Sequence, residues 1–233
     1  MYKIRWHHVK LALLGTGIIL LFNNWLLTPL LNPHLALSRS LISEISARTQ
    51  PYHWLFQLCD ISAGVLALAS FPRVRQFLRQ MGFARAGWLG VGFAAVGVDS
   101  IVDALLPISC APSVDTHCQL ADTHSLITTI HLTESTVAGI LIVLAPIAWW
   151  LATRRSHRPL AYGCGVFVGV QLAAGVGILG TRLLGMDVVG LLQRAYEIGI
   201  GTWMAYVAVL PHHWEFRQRT ARAHAMAAIE AAD

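Results

Sequence analysis

The amino-acid sequence predicts an all-α integral membrane protein: a six-helix transmembrane bundle with both termini in the cytoplasm. Three observations lead there. Of 233 residues, 55% are hydrophobic and only 12% are charged, with mean hydropathy +0.57, whereas a soluble domain carries roughly 25% charge. Six apolar runs are each long enough to cross a hydrocarbon core of about 30 Å, which takes about 20 helical residues. The basic residues alternate by segment. With the N-terminus inside, thirteen of the 17 lysines and arginines fall in inside segments, and only Arg39, Arg48, Arg182 and Arg194 lie outside. That is the pattern of the positive-inside rule. It also accounts for the net charge of +5 without any nucleic-acid partner.

The expected spans are 9–31, 53–71, 87–107, 125–151, 160–181 and 191–210, followed by a cytoplasmic tail at 211–233. The first begins like a signal peptide, with Lys3, Arg5 and Lys10 before an apolar core. The core is long, contains Asn23, Asn24 and Trp25, and is followed by no prompt small-residue cleavage site, so it reads as a retained helix. No linker divides the chain, and 1–233 reads as one transmembrane domain.

Two outside loops stand out. In the first, Leu37, Leu41, Ile42 and Ile45 have helical spacing. The segment 35–46 is either a short helix on the membrane surface or a cap over the bundle. The second holds Cys110 and Cys118 in the run CAPSVDTHC. In an oxidising compartment this spacing suits a disulfide; the alternative is metal binding by both cysteines with His117. Cys59 and Cys164 read as buried, inert thiols. Glycines cluster in the third span and the fifth, including a GxxxG step at Gly165 and Gly169, which predicts a fifth helix that is central or tightly packed. The tail either lies on the anionic inner leaflet or extends the last helix.

Ionisable residues inside the spans are the strongest pointer to function. A charge at mid-bilayer costs about 2.5–3.5 kcal/mol on insertion scales, so such groups face a cavity or a partner. At a rise of about 1.5 Å per residue, Asn23, Asp60, Asp99, His131, Glu134, Gln171 and Glu197 fall at one level, about 9–15 Å below the outer surface, with Asp103 one turn further out. Asp99 and Asp103 are spaced i,i+4, His124 and His131 i,i+7, and His131 and Glu134 i,i+3, so each set shares a helix face. The core of the expected site is Asp99, Asp103, His131 and Glu134. Asp60, His124 and Glu197 join it as ligand-binding residues, with Arg194 at the rim.

Five carboxylates against few cations must hold protons, a metal ion or an organic cation such as a lipid amine. The leading expectation is an outward-opening polar pocket that binds a lipid head group or another amphiphile in membrane lipid handling. A second reading is a metal-dependent intramembrane hydrolase of a lipid ester or amide. Asp99, Asp103, His131 and Glu134 would then hold a divalent ion such as zinc and act as catalytic residues. No HExxH motif is present, and none of Ser100, Ser109 and Ser125 is marked out as a nucleophile. Two histidines on one helix cannot ligate one haem iron from opposite faces. A proton-coupled small transporter is a third reading, and a polar core that only locks the helices is a fourth. The expected partners are membrane lipids; oligomeric state is not encoded in any motif.

Three pieces of sequence carry a resemblance: DSIVDALLP at the end of the third span, His124 and His131 around the start of the fourth, and GLLQRAYEIGIGTW opening the last. The chain resembles the DUF998 family of bacterial integral membrane proteins, itself similar in outline to the Frag1/DRAM/Sfk1 families. The resemblance implies topology more than activity; the involvement of the eukaryotic relatives in lipid handling favours a lipid ligand. The cysteine loop and Glu197 fall outside the family pattern.

Overall fold

The computed structural model describes residues 2–83, 86–118 and 126–230. Among these residues there are seven α-helices and no strand: α1 (Tyr2–Phe22), α2 (Thr28–Leu31), α3 (His53–Gln80), α4 (Ala86–Leu105), α5 (Leu126–Thr153), α6 (Arg158–Leu184) and α7 (Val189–Glu230). Four of them, α3 to α6, are long and apolar enough to cross a membrane. The chain is a multi-pass membrane protein.

The first and last expected spans depart from that simple form. The first is broken. The Asn23 amide donates to the Ile19 carbonyl at 2.8 Å, a 3-10 turn follows at Asn24–Leu27, and Thr28 and Pro29 restart the helix as α2. Proline suits a first helical turn because its missing N–H would be unbonded there anyway. The two parts are bent by 66°, and together they make a fifth candidate span. The last helix, α7, is not apolar enough to count by itself, because Gln193, Arg194 and Glu197 fall in its opening turns.

The long helices form a ring in which α1 packs on α3, α3 on α4, α4 on α5, α5 on α6, α6 on α7 and α7 back on α1, with α3 also meeting α7. The core sits inside it. Trp149, Trp203, Phe93 and Met204 are buried there. The Trp149 indole N–H donates to the Leu89 carbonyl at 2.9 Å, and Phe93 meets Trp203 edge-on at 6.3 Å between centroids. Helices α3 and α4 touch backbone to backbone: a Cβ at Gly64 would collide with the Gly97 carbonyl and lie 2.7 Å from the Ile101 side chain.

The glycines of the fifth span do not make it central. Gly169, Gly175 and Gly180 of α6 have open space where a Cβ would stand, and α6 is the least buried of the four apolar helices. The core helix is α7, whose Trp203, Met204, Ala205, Val207 and Ala208 are all buried. Small residues permit close approach but do not choose the partner. Beyond Pro211 the expected tail continues α7 to Glu230, with Trp214 packed on Phe77 at 5.9 Å.

The loop 32–52 is a cap. Its only regular piece is the 3-10 turn Ile42–Glu44. Leu35, Ile45 and Ala47 are buried with Phe56, Ile108 and Ala111 in a second, smaller core. The second loop is closed by a Cys110–Cys118 disulfide, which removes the alternative of a metal held by those thiols and His117. Cys59 and Cys164 are free.

Candidate functional site

Inside the ring lies a cavity of about 240 Å³. Helix α3 contributes Asp60, α4 contributes Asp99 and Asp103, and α7 contributes Tyr196 and Glu197; Ile42 and Ser43 of the capping loop form the outer wall. The carboxylates are half-buried because they face this space. Asp60 accepts a short hydrogen bond from the Asn24 amide. The break in the first span therefore has a consequence for the site, since it turns Asn24 toward α3. Ser100 donates to the Asp60 carbonyl at 2.9 Å, a bond that fixes the α3–α4 register and leaves its hydroxyl away from any histidine.

The wall between α4 and α5 gathers the four expected core residues. His131 Nδ1 lies 3.1 Å from Asp103 Oδ1, and the imidazole is buried. Asp99 lies within hydrogen-bonding reach of Glu134. An ionised carboxylate only accepts hydrogen bonds, so neither acid supplies a donor to the other in that form. Asp103, His131 and Glu134 bring one ligand atom each within 4.8 Å of one another, while Asp99 completes the wall rather than that triad. Glu134 Oε1 is buried and accepts no hydrogen bond.

The other expected residues divide. Asp60 and Glu197 line the same cavity as Asp99 and Asp103. His124 and Ser125 lie outside the described residues. Gln171 donates to the Tyr196 carbonyl at 3.3 Å and packs against Gly199, so it braces α6 on α7. Arg194 is not at the rim. It is 2% exposed, its Nη1 donates to the carbonyls of Leu37 (2.8 Å), Ser40 (2.8 Å) and Gly190 (3.0 Å), and its guanidinium lies 5.6 Å over the Trp25 ring. It clasps the capping loop.

That clasp explains most of the GLLQRAYEIGIGTW run. The Gly190 N–H donates to the Ser38 carbonyl at 2.7 Å, and Gln193 Oε1 accepts from the Ile42 N–H at 2.8 Å. Gly201 admits Asn23 and Phe22 of α1, and Trp203 fills the core. A Cβ on Gly190 would sit 2.6–2.8 Å from the carbonyl oxygens of Leu37, Ser38 and Ser40. Gly190→Ala is therefore expected to destabilise the protein by about 1–3 kcal/mol, read as a lower melting midpoint in detergent, with faster hydrogen exchange confined to residues 35–47. An unchanged midpoint would show that the loop can shift without cost.

Sequence reasoning passed over Glu44. It is 3% exposed and joins the two outside loops: one oxygen accepts from the Leu41 N–H at 3.0 Å, the other from the Ser113 N–H at 2.9 Å and from its hydroxyl. A lone acid in a polar loop gives no periodic signal. Asn24 was equally silent, because its role depends on a bend.

Comparison with known proteins adds one finding. No curated protein and no solved structure matches the chain. Residues 13–210 match the family described as "Protein of unknown function (DUF998)", which covers both the acidic cavity and the motif that clasps its roof. The chain belongs to the DUF998 family.

Proposed function

We propose that this protein binds the ammonium head group of an amphiphile in an acidic pocket inside the membrane, in the service of membrane lipid handling. The observation that carries the reading is the set of carboxylates around one small cavity: Asp60, Asp99, Asp103 and Glu197 line it, and Glu134 meets Asp99 at its edge. Among the described residues, the histidine beside Asp103 is the one basic side chain that reaches this cluster; Arg194 Nη1 is turned to the loop carbonyls instead. A cationic head group supplies the charge that this lining lacks and the N–H donors that its oxygens can accept. The setting is a six-span bundle with both termini in the cytoplasm of a bacterium and the pocket in the outer half of its inner membrane. The distribution of basic residues supports that orientation, and the closed ring of α1, α3, α4, α5, α6 and α7 supports six crossings.

The second reading, a metal-dependent hydrolase acting on a lipid ester or amide, is favoured by the Asp103, His131 and Glu134 ligand atoms. Three protein ligands with a position left for water are the pattern of catalytic zinc sites. One experiment separates the readings. The protein is purified in nanodiscs containing phosphatidylethanolamine and phosphatidylglycerol, then assayed for retained lipid by native mass spectrometry and for metal by elemental analysis. The expected result is a retained amine-bearing lipid that Asp99→Asn releases, with zinc well below one equivalent. One equivalent of zinc that His131→Ala removes would establish the hydrolase reading instead. If neither ligand is found and both variants only melt earlier, the carboxylates are a polar core that locks the helices.

A further inference from the structure

A second cavity touches the first. Between α4 and α5, on the outer face of the ring, runs an apolar groove of about 690 Å³ with Val98, Val102, Ile130 and Val137 along its walls and Asp99 and Glu134 among its lining. Val98, Ile130 and Val137 are 49%, 39% and 51% exposed, so the groove faces whatever surrounds the bundle. Asp99 and Ala138 line both the groove and the inner cavity.

The gap has a physical origin. At one end, Gly92 lets α4 sit against Ala145, where an added Cβ would stand 2.6 Å away. At the other, Asp103 and His131 hold the helices together at 3.1 Å. Between these points Ala94, Ala95 and Ala138 are too small to fill the space. The Thr133 hydroxyl donates back to the Thr129 carbonyl, which leaves the wall apolar. By contrast the outer roof is bonded shut by Arg194, Gly190, Gln193 and Glu44. The side wall is the open one.

We infer that the α4–α5 groove holds a hydrocarbon chain of an alkylammonium-type amphiphile, which enters sideways from the bilayer and places its head group between Asp99 and Glu134. The inference rests on the ammonium pocket proposed above and adds the ligand class and the route. Continuity of an apolar groove with an acid pair sets the chemistry. The carboxyl pair selects positive charge at the throat, and the apolar lining of the groove suits a hydrocarbon chain.

The test uses the full-length protein in nanodiscs with two photoactivatable probes, a dodecylammonium and a dodecyl sulfate, each with a diazirine at mid-chain. The ammonium probe is expected to label α4 and α5 around Val98 and Val137 at least tenfold more than the sulfate probe does. Ala95→Phe, which fills the groove without touching the acids, should cut that labelling at least fivefold while butylammonium, a head group with almost no tail, still binds. Labelling spread over the lipid-facing sides of α6 and α7, or unchanged in Ala95→Phe, would overturn the groove assignment while leaving the pocket in place. Equal labelling by both probes, with no butylammonium binding lost in Asp99→Asn, would overturn the pocket and the groove together.

Discussion

Arg194→Ala is expected to be the most damaging single substitution in the outer half of the molecule. Its guanidinium is buried and donates to three backbone carbonyls, two of them in the capping loop. It stacks over Trp25, and its charge faces Glu44. Alanine removes hydrogen bonds to a charged group, each worth about 1.5–3 kcal/mol. It also strands the carbonyls of Leu37 and Ser40 and removes the positive charge that interacts with Glu44. Breaking a buried charged constellation from one side costs about 3–5 kcal/mol. At about 2–4 °C per kcal/mol for a chain of this size, the midpoint in detergent should fall by roughly 6–20 °C. Hydrogen exchange in 35–47 should rise with it. Arg194→Lys keeps the charge but loses the planar stack, and should fall between. If Arg194→Ala left the midpoint unchanged and altered only the binding of an anionic lipid, the residue would belong at the rim of the pocket, and the clasp would be wrong.

The fate of Arg194 shows where sequence reasoning stops. Class and the positions of the four apolar helices α3 to α6 were legible because bilayer thickness imposes a length, and that length appears as apolar runs. Depth was legible for the same reason. A fixed rise per residue converts position into level, and Asp60, Asp99 and Glu197 do meet at one cavity. Facing was legible where two residues share a helix, as with Asp99 and Asp103. What was not legible is where the backbone stops being regular. The bend at Asn23 exchanges the roles of two neighbouring asparagines: Asn23 bonds its own helix, and Asn24 reaches Asp60. Likewise Arg194 and Glu197 are three residues apart on α7, yet one serves the roof and the other the cavity. The loop that separates their tasks, 32–52, carries a helical spacing at Leu37, Leu41, Ile42 and Ile45 but forms only the 3-10 turn Ile42–Glu44. Glycine content misled for a related reason. It marks where helices can approach, and α6 carries such residues on faces that nothing covers.

Replacing Asp99 and Glu134 together by leucine is expected to stabilise the protein and abolish ammonium binding. These two acids meet within hydrogen-bonding reach beside an apolar groove, where each must give up hydration. No cation among the described side chains pairs with Glu134, and its Oε1 accepts no hydrogen bond. Exchanging buried ionisable pairs for apolar residues of similar volume is often neutral or stabilising by about 1–4 kcal/mol. Here the midpoint should rise by roughly 2–16 °C at about 2–4 °C per kcal/mol. Binding of butylammonium should drop to background. The single variants should not sum to the double, since removing either acid leaves the other facing the groove alone; contacting residues typically couple by about 0.5–3 kcal/mol. The stability change decides what the acids are for. Residues that lock helices lower the midpoint when removed. Residues kept for a ligand raise it when their removal relieves desolvated, unpaired groups, and the gain then comes with lost binding, the stability–activity trade-off. A fall of several degrees in the double variant would assign Asp99 and Glu134 to the scaffold. A rise, with binding lost, would assign them to the ligand.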